Sequence, residues 1–248
     1  MSFQHIHVDD ALLAYIRSVT APEPEYLARL REETARDPLA RMQITVEQGL
    51  FMGMLVRLMG ARRALERPLI SPSKEYPGQA IDPFAFIDDD GQAYLYYGQG
   101  NLYAYKLKPD MVTLDGAPVK MTPRRFNEGI FVIKRNGLYY FMWSQNDARD
   151  VRYEVAYGTA KSPLGPIEIP PDNVILQQRG RAVGTGHHAV VQTPGTDRWY
   201  IIYHRHAIPD GNGYTRQTCL ARMEFTADGR IQKVDPLAPG VSPDPIRR

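Results

Sequence analysis

One pattern occurs three times between Phe84 and Phe225: a run of alternating aromatic and β-branched residues, a short turn signal, and a second such run. Phe84 to Ile87 and Ala93 to Gly98 flank Asp90-Gly91, Ile130 to Lys134 and Leu138 to Trp143 flank Asn136-Gly137, and His188 to Gln192 and Trp199 to Tyr203 flank Pro194-Gly195. A period of two marks strands, and glycine in the gap supplies the positive φ that a tight hairpin needs. Each hairpin is followed by a further strand candidate, Leu102 to Leu107, Glu154 to Thr159 and Thr218 to Phe225, and a fourth, outer strand is expected near Val119, Val174 and Ile231. A four-strand unit that recurs at roughly 45 to 60 residues is the pattern of propeller blades. Rings close with about four to eight blades, so three predict an open arc whose edges need a cover from helices or from a second chain.

Upstream the period changes. From Val8 to Glu66 the apolar residues recur at helical spacing, in stripes of Leu12, Leu13 and Ile16, of Leu27, Leu30 and Thr34, and of Leu50, Phe51, Met54, Leu55 and Leu58. Asp9 and Asp10, Pro24 in a first turn after Glu23, and Thr45 with Gln48 three residues on signal three helix starts. The third helix also carries Met52, Val56 and Met59 off its main stripe. It suits either the centre of a small bundle or a subunit interface. The expected fold is mainly β: a partial, three-blade β-propeller over 67–248, preceded by an α-helical segment over 1–66.

Charge excludes some partners. Thirty basic residues stand against 28 acidic ones, a net +2 over 248 residues, and they are scattered. No field steers such a chain onto nucleic acid or an anionic membrane. Met1 to Asp10 has no apolar run of the kind a secretory leader carries, and the apolar stretch from Leu50 to Met59 is broken by Gly53 and Arg57. Cys219 is the single cysteine, so no internal disulfide forms, and the expected location is the cytoplasm.

Several segments resemble glycoside hydrolase family 43: Tyr76 through Phe84, Asn127-Glu128-Gly129-Ile130-Phe131, Lys134 through Tyr140, Gly184-Thr185-Gly186-His187-His188, Trp199 through Arg205, and Asp228-Gly229-Arg230-Ile231. The resemblance covers Pro68 to about Val241. It implies blades of a five-bladed propeller that cleaves arabinose- or xylose-containing glycosides with inversion, using a general base, an aspartate that tunes the acid, and a glutamate acid. By motif, Asp82 is the tuning aspartate and Glu128 the acid, and the first two blades, which include the base, have no counterpart. The resemblance also gives His187, with His188 as the second choice, a place on the axis, contacting calcium through water or lining the pocket. A second resemblance, from Asp37-Pro38-Leu39 through Val46-Glu47-Gln48-Gly49 to Gly60 through Glu66, is to the N-terminal helices of caffeoyl-CoA-type O-methyltransferases. The chain then reads Arg67-Pro68-Leu69 in place of a glycine-rich cofactor turn, so S-adenosylmethionine binding is not expected.

Inverting hydrolysis needs a protonated carboxyl on the leaving oxygen and a carboxylate that activates water on the opposite face, roughly 6.5 to 9.5 Å away. Asp82 beside Glu128 would keep the latter protonated by like-charge repulsion. Without the family match, both would read as loop-capping groups. For the base, Asp147 and Asp150 leave the same blade as Glu128, Glu75 precedes the first hairpin, and a neighbouring subunit is an equal alternative. Asp88, Asp89 and Asp90 read as solvated turn residues. Arg205 is a candidate for sugar hydroxyls and Trp143 for a stacking face, each with packing as the alternative, and His204 and His206 read equally as blade hydrogen-bonders. Zinc is disfavoured, because no histidine or cysteine spacing converges. The sequence thus predicts a glycosidase for an oligosaccharide or small arabinoside or xyloside, with a site completed by homo-oligomerisation, a dimer first, through the helices. A carbohydrate-binding protein without turnover is the alternative.

Overall fold

The computed structural model describes residues 9–20, 22–38, 40, 43–58, 68–71 and 73–238. Met59 of the expected third helix, the N-terminal 1–8 and the end of the methyltransferase-like motif at 60–66 lie outside the described residues. The chain divides into two compact units, Met1–Arg67 and Pro68–Arg248.

The first unit holds α1 (Asp10–Val19), α2 (Glu25–Thr34) and α3 (Val46–Leu58). Asp9 caps α1 by accepting from the Leu12 N–H at 2.8 Å, and Thr45 accepts from Gln48 N–H at 3.2 Å ahead of α3. Pro24 sits one position earlier than expected, before α2, where its carbonyl accepts from Leu27 and Ala28. Polar links join the helices: Arg17 donates to Glu47 at 2.8 Å and the Gln43 amide to the Arg31 carbonyl at 3.2 Å. No described side chain of the three helices is buried.

In the second unit the strands are β1 (Phe84–Ile87), β2 (Ala93–Tyr97), β3 (Tyr103–Leu107) and β4 (Leu114–Lys120); β5 (Glu128–Arg135), β6 (Leu138–Gln145), β7 (Glu154–Ala160) and β8 (Val174–Leu176); and β9 (Gly186–Gln192), β10 (Trp199–His206) and β11 (Arg216–Met223). They form three antiparallel meanders in chain order, four, four and three strands wide. Asn136 (φ 51°) and Gly137 (φ 76°) make the β5–β6 turn, as the Asn-Gly pair demands. The fourth strand expected near Ile231 is absent: Ile231 makes one isolated bridge to Phe225. The chain reverses through Thr226 and Arg230, and Val234 then donates to the Ile175 carbonyl of β8, so the segment serves the second sheet instead.

Strand alternation gives each sheet two apolar faces. Tyr96, Ile130, Val132, Phe141 and Trp143 fill the space between the first and second sheets. Met142, Tyr157, Ile201 and Met223 fill that between the second and third. The outer face of the first sheet, with Leu95, Tyr97, Tyr103 and Tyr105, is covered by Leu69, Ile70, Tyr76 and Ala80 of the same chain, so this end of the arc needs neither helix nor partner. On the far face of the third sheet Val191 and Leu220 stay exposed. Asp88 corrects the sequence reading: its side chain is buried, accepting from Lys134 Nζ at 2.6 Å and from the Tyr139 hydroxyl, and so ties the first sheet to the second.

Candidate active site

The first strand of the second sheet, β5, lies against the first strands of the other two, β1 and β9. Their N-terminal ends carry the chemistry: Asp82 just before β1, Glu128 at the start of β5, and His187 second in β9. The Gly129 N–H donates to Asp82 Oδ2 at 3.2 Å, so the backbone next to Glu128 holds the aspartate. Glu128 is buried and accepts twice, from Gln99 Nε2 on Oε2 at 2.6 Å and from the Tyr153 hydroxyl on Oε1 at 2.7 Å. His187 closes the circuit, with Nε2 3.9 Å from Asp82 Oδ1 and Nδ1 3.4 Å from the Tyr153 hydroxyl, while its backbone N–H donates to Ser144 Oγ at 3.0 Å. Asp82 (φ 52°) and His187 (φ 45°) both occupy the left-handed region, where Asp and His are more often found than most residues.

Burial raises the Asp82 carboxyl above its ordinary range; nearby His187 opposes the rise and Glu128 adds to it. The Tyr153 phenol is pushed up by burial and by the Glu128 charge, which holds its proton in place. His204, stacked on Tyr153 with ring centres 5.5 Å apart, is depressed to about 3 by burial, helped by Arg216. A buried carboxyl beside a second acid, with tyrosine and histidine around it, is an arrangement suited to acid chemistry.

The structure brings Asp82, Glu128 and His187 together and leaves the other candidates elsewhere. Trp143 has no exposed surface and lies in the core between the first two sheets, so its ring offers no stacking face. The pairing of Glu128 with Ser144 explains why: Ser144 faces the site, and its neighbour Trp143 must face away. Arg205 alternates away from His204 in the same manner, and its guanidinium donates to Gln217 Oε1 and the Pro236 carbonyl. Asp147 forms an exposed pair with Arg149, and Asp150 one with Arg152; each arginine holds its partner down at about 2. Neither is hydrogen-bonded to Glu128 or Asp82. Glu75 accepts from the Tyr76 hydroxyl. His188 points to the opposite side of β9, against Phe131, and His206 bonds the Ala148 carbonyl.

Tyr153, Gln99 and Ser144 were not singled out by sequence reasoning. The one signal for Tyr153 is indirect: a Cβ on Gly186 would lie 2.3 Å from its ring. Calcium favours about six to eight oxygen ligands. Around His187 stand one carboxylate, one phenol and the His204 ring, and no group of three metal-binding side chains occurs among the described residues. These residues do not fit a directly held calcium ion.

Stacked antiparallel blades whose inner strands bring two carboxylates to one end define a propeller of the glycoside-hydrolase kind. Residues 67–231 match glycosyl hydrolases family 43, and the chain belongs to that family. A β-D-galactofuranosidase of Aspergillus niger is 37% identical over 71% of this chain and 52% of its own length, so the chain spans about half of that relative. A thermostable family-43 glycoside hydrolase of known structure superposes with a TM-score of 0.64 at 30% identity, over 73% of this chain and 64% of that one. Residues 17–71 match an O-methyltransferase family, and caffeoyl-CoA O-methyltransferase 1 of Zea mays is 41% identical over 59 residues, 23% of either chain. No helix among the described residues is long and apolar enough to cross a membrane.

Proposed function

We propose that the chain is a glycoside hydrolase for small arabinosides or xylosides, with Glu128 as general acid and Asp82 as the carboxyl that tunes it. The observation that carries this reading is the coupled pair itself: Asp82 held by the amide next to Glu128, with Tyr153 and Gln99 locking the glutamate at the inner strand ends. Curated relatives named as xylosidases, arabinosidases and arabinofuranohydrolases support the substrate class. In the reaction Glu128 gives its proton to the glycosidic oxygen as the C1–O bond breaks. A water adds to C1 from the opposite face and loses its proton to a base.

The described residues hydrogen-bond no third carboxylate to the pair, and the proposal includes a homodimer whose second copy supplies that base. The apolar side chains of α3, Leu58 75% exposed and Phe51 55%, support an assembling helix. The single cysteine supports a reducing, cytoplasmic setting. The proposal gives S-adenosylmethionine no part, on the reading that Arg67-Pro68-Leu69 stands where a glycine-rich cofactor turn would be. The second reading, binding of arabino- or xylo-oligosaccharides without turnover, is favoured by the same lack of a third carboxylate.

The test is nitrophenol release from aryl arabinofuranosides, xylosides, galactosides and glucosides by the wild type and Glu128→Gln, with calorimetry on oligosaccharides alongside. The expected result is turnover on a pentoside that falls at least about a hundredfold in the variant. Binding without turnover selects the second reading, and turnover unchanged by Glu128→Gln overturns the first.

A further inference from the structure

We propose that Tyr153 is the positioning residue that decides which oxygen of Glu128 carries the acid proton. This rests on the hydrolase reading above. Tyr153 has no exposed surface, and its hydroxyl reaches Glu128 Oε1 at 2.7 Å. The distances around it set the direction of the bonds. The other polar neighbour of the hydroxyl, His187 Nδ1, stands farther off at 3.4 Å, and the His187 backbone N–H is held by Ser144 Oγ at 3.0 Å. A phenol has one proton, and the shorter contact, the one to Oε1, takes it.

Oε1 is therefore an acceptor, and the acid proton belongs on Oε2. The partner of Oε2 is the Gln99 side chain at 2.6 Å, which has a donor and an acceptor on one arm. It can donate to the carboxylate and turn to accept from the acid, so Gln99 serves both protonation states, whereas Tyr153 serves one role at one oxygen. The carboxyl proton starts on Oε2 and leaves with the glycosidic oxygen. The carboxylate that remains still accepts from Tyr153.

The ring is set by packing on two sides. His204 lies nearly parallel to it, 12° between planes, and Gly186 passes so close that a Cβ there would meet the ring at 2.3 Å. Gly129 is a glycine for a related reason: it sits at φ +65°, and a Cβ would stand 3.4 Å from both His187 Nδ1 and Ser144 Oγ. Backbone is thus brought right up to the tyrosine ring at Gly186 and to His187 and Ser144 at Gly129, and the ring is held with its hydroxyl against Glu128.

Tyr153→Phe removes one hydroxyl and keeps the stack. The expected result is a kcat lower by about tenfold to a hundredfold at KM within twofold, as for a reacting group that is present and misplaced. The alkaline limb of the pH–rate profile moves to higher pH, because a donor to the charged form is gone. Gly186→Ala displaces the ring and gives the same profile, and the two changes together are no worse than either alone. A readout independent of activity is ¹³Cζ-tyrosine NMR, with the Tyr153 signal assigned by its loss in Tyr153→Phe. That signal moves with pH as the acid pair titrates, and the movement shrinks in Glu128→Gln, where Asp82 alone remains. A Tyr153 signal blind to Glu128, or a Tyr153→Phe protein with the wild-type kcat and pH profile, overturns the inference. An inactive wild type with the coupled signal present overturns the hydrolase reading and leaves the hydrogen-bond assignment standing.

Discussion

The helical unit and the β unit are both made of apolar residues at regular spacing, and they end in opposite states. In α1 to α3 the stripes form helices on schedule, yet no described side chain is buried. In β5 and β6 most residues disappear from solvent, and Tyr140, Phe141, Met142 and Trp143 are at most 1% exposed. Period fixes local structure; burial needs a second surface that runs alongside. Each sheet finds one in the next sheet, whereas the helices touch through a few polar links.

That contrast breaks first at the core. Phe141→Ala is expected to destabilise the β unit by about 3–5 kcal/mol, the usual loss for an aromatic ring removed from a packed interior. Phe51→Ala in α3 should leave the same transition in place. Both tryptophans, Trp143 and Trp199, lie in the β unit, so fluorescence during urea unfolding reads that unit alone. Equal losses in the two variants would mean that α3 is covered in solution.

Acid should separate the units further. His188 is buried against Phe131 without a hydrogen-bond partner on either ring nitrogen among the described residues, and burial depresses it from 6.5 to about 3. The unfolded chain therefore takes up the proton first as pH falls. The stability carried by this neutral ring is complete above pH 6.5 and is lost progressively as the pH falls towards 3. Urea midpoints at pH 7, 5 and 4 should fall in that order, and His188→Phe should flatten the fall. A slope unchanged in that variant would assign the acid sensitivity to His204 or to the carboxylates.

Ion pairs give the smallest and sharpest comparison. Asp88→Asn removes the charged acceptor that Tyr139 and Lys134 share between two sheets, leaves Lys134 only its exposed pair with Asp89, and should cost about 1–3 kcal/mol. Glu47→Gln, which breaks the exposed pair with Arg17, should not move the midpoint measurably.

The fold was largely legible because its turns are chemical. Asp90-Gly91 and Asn136-Gly137 mark the hairpins by residues that accept positive φ, and period two on either side leaves little choice. Ile231 misled because an apolar residue after a turn looks like a strand, and only the tertiary pull of Ile175 on Val234 shows that it is not. At the site, Asp82, Glu128 and His187 were readable from motifs. Trp143 was not, since its direction depends on the Glu128–Ser144 register, and the irregularity between Glu128 and Phe131 hides that parity in the sequence. Tyr153, just ahead of β7, is one of fifteen tyrosines in the chain, and nothing local marks it as the one turned to an acid.

Every sheet is a meander of sequence neighbours, but the site draws Asp82 and Gln99 from the first, Glu128, Ser144 and Tyr153 from the second, and His187 from the third. Hairpins close early and cheaply in chain entropy, while contacts between distant segments come late. During folding the chain therefore gains its strands before it gains a chemical centre. The Glu128 circuit assembles only when all three sheets have docked, so its arrival dates the end of folding, and a strand-rich intermediate of this chain would be inert.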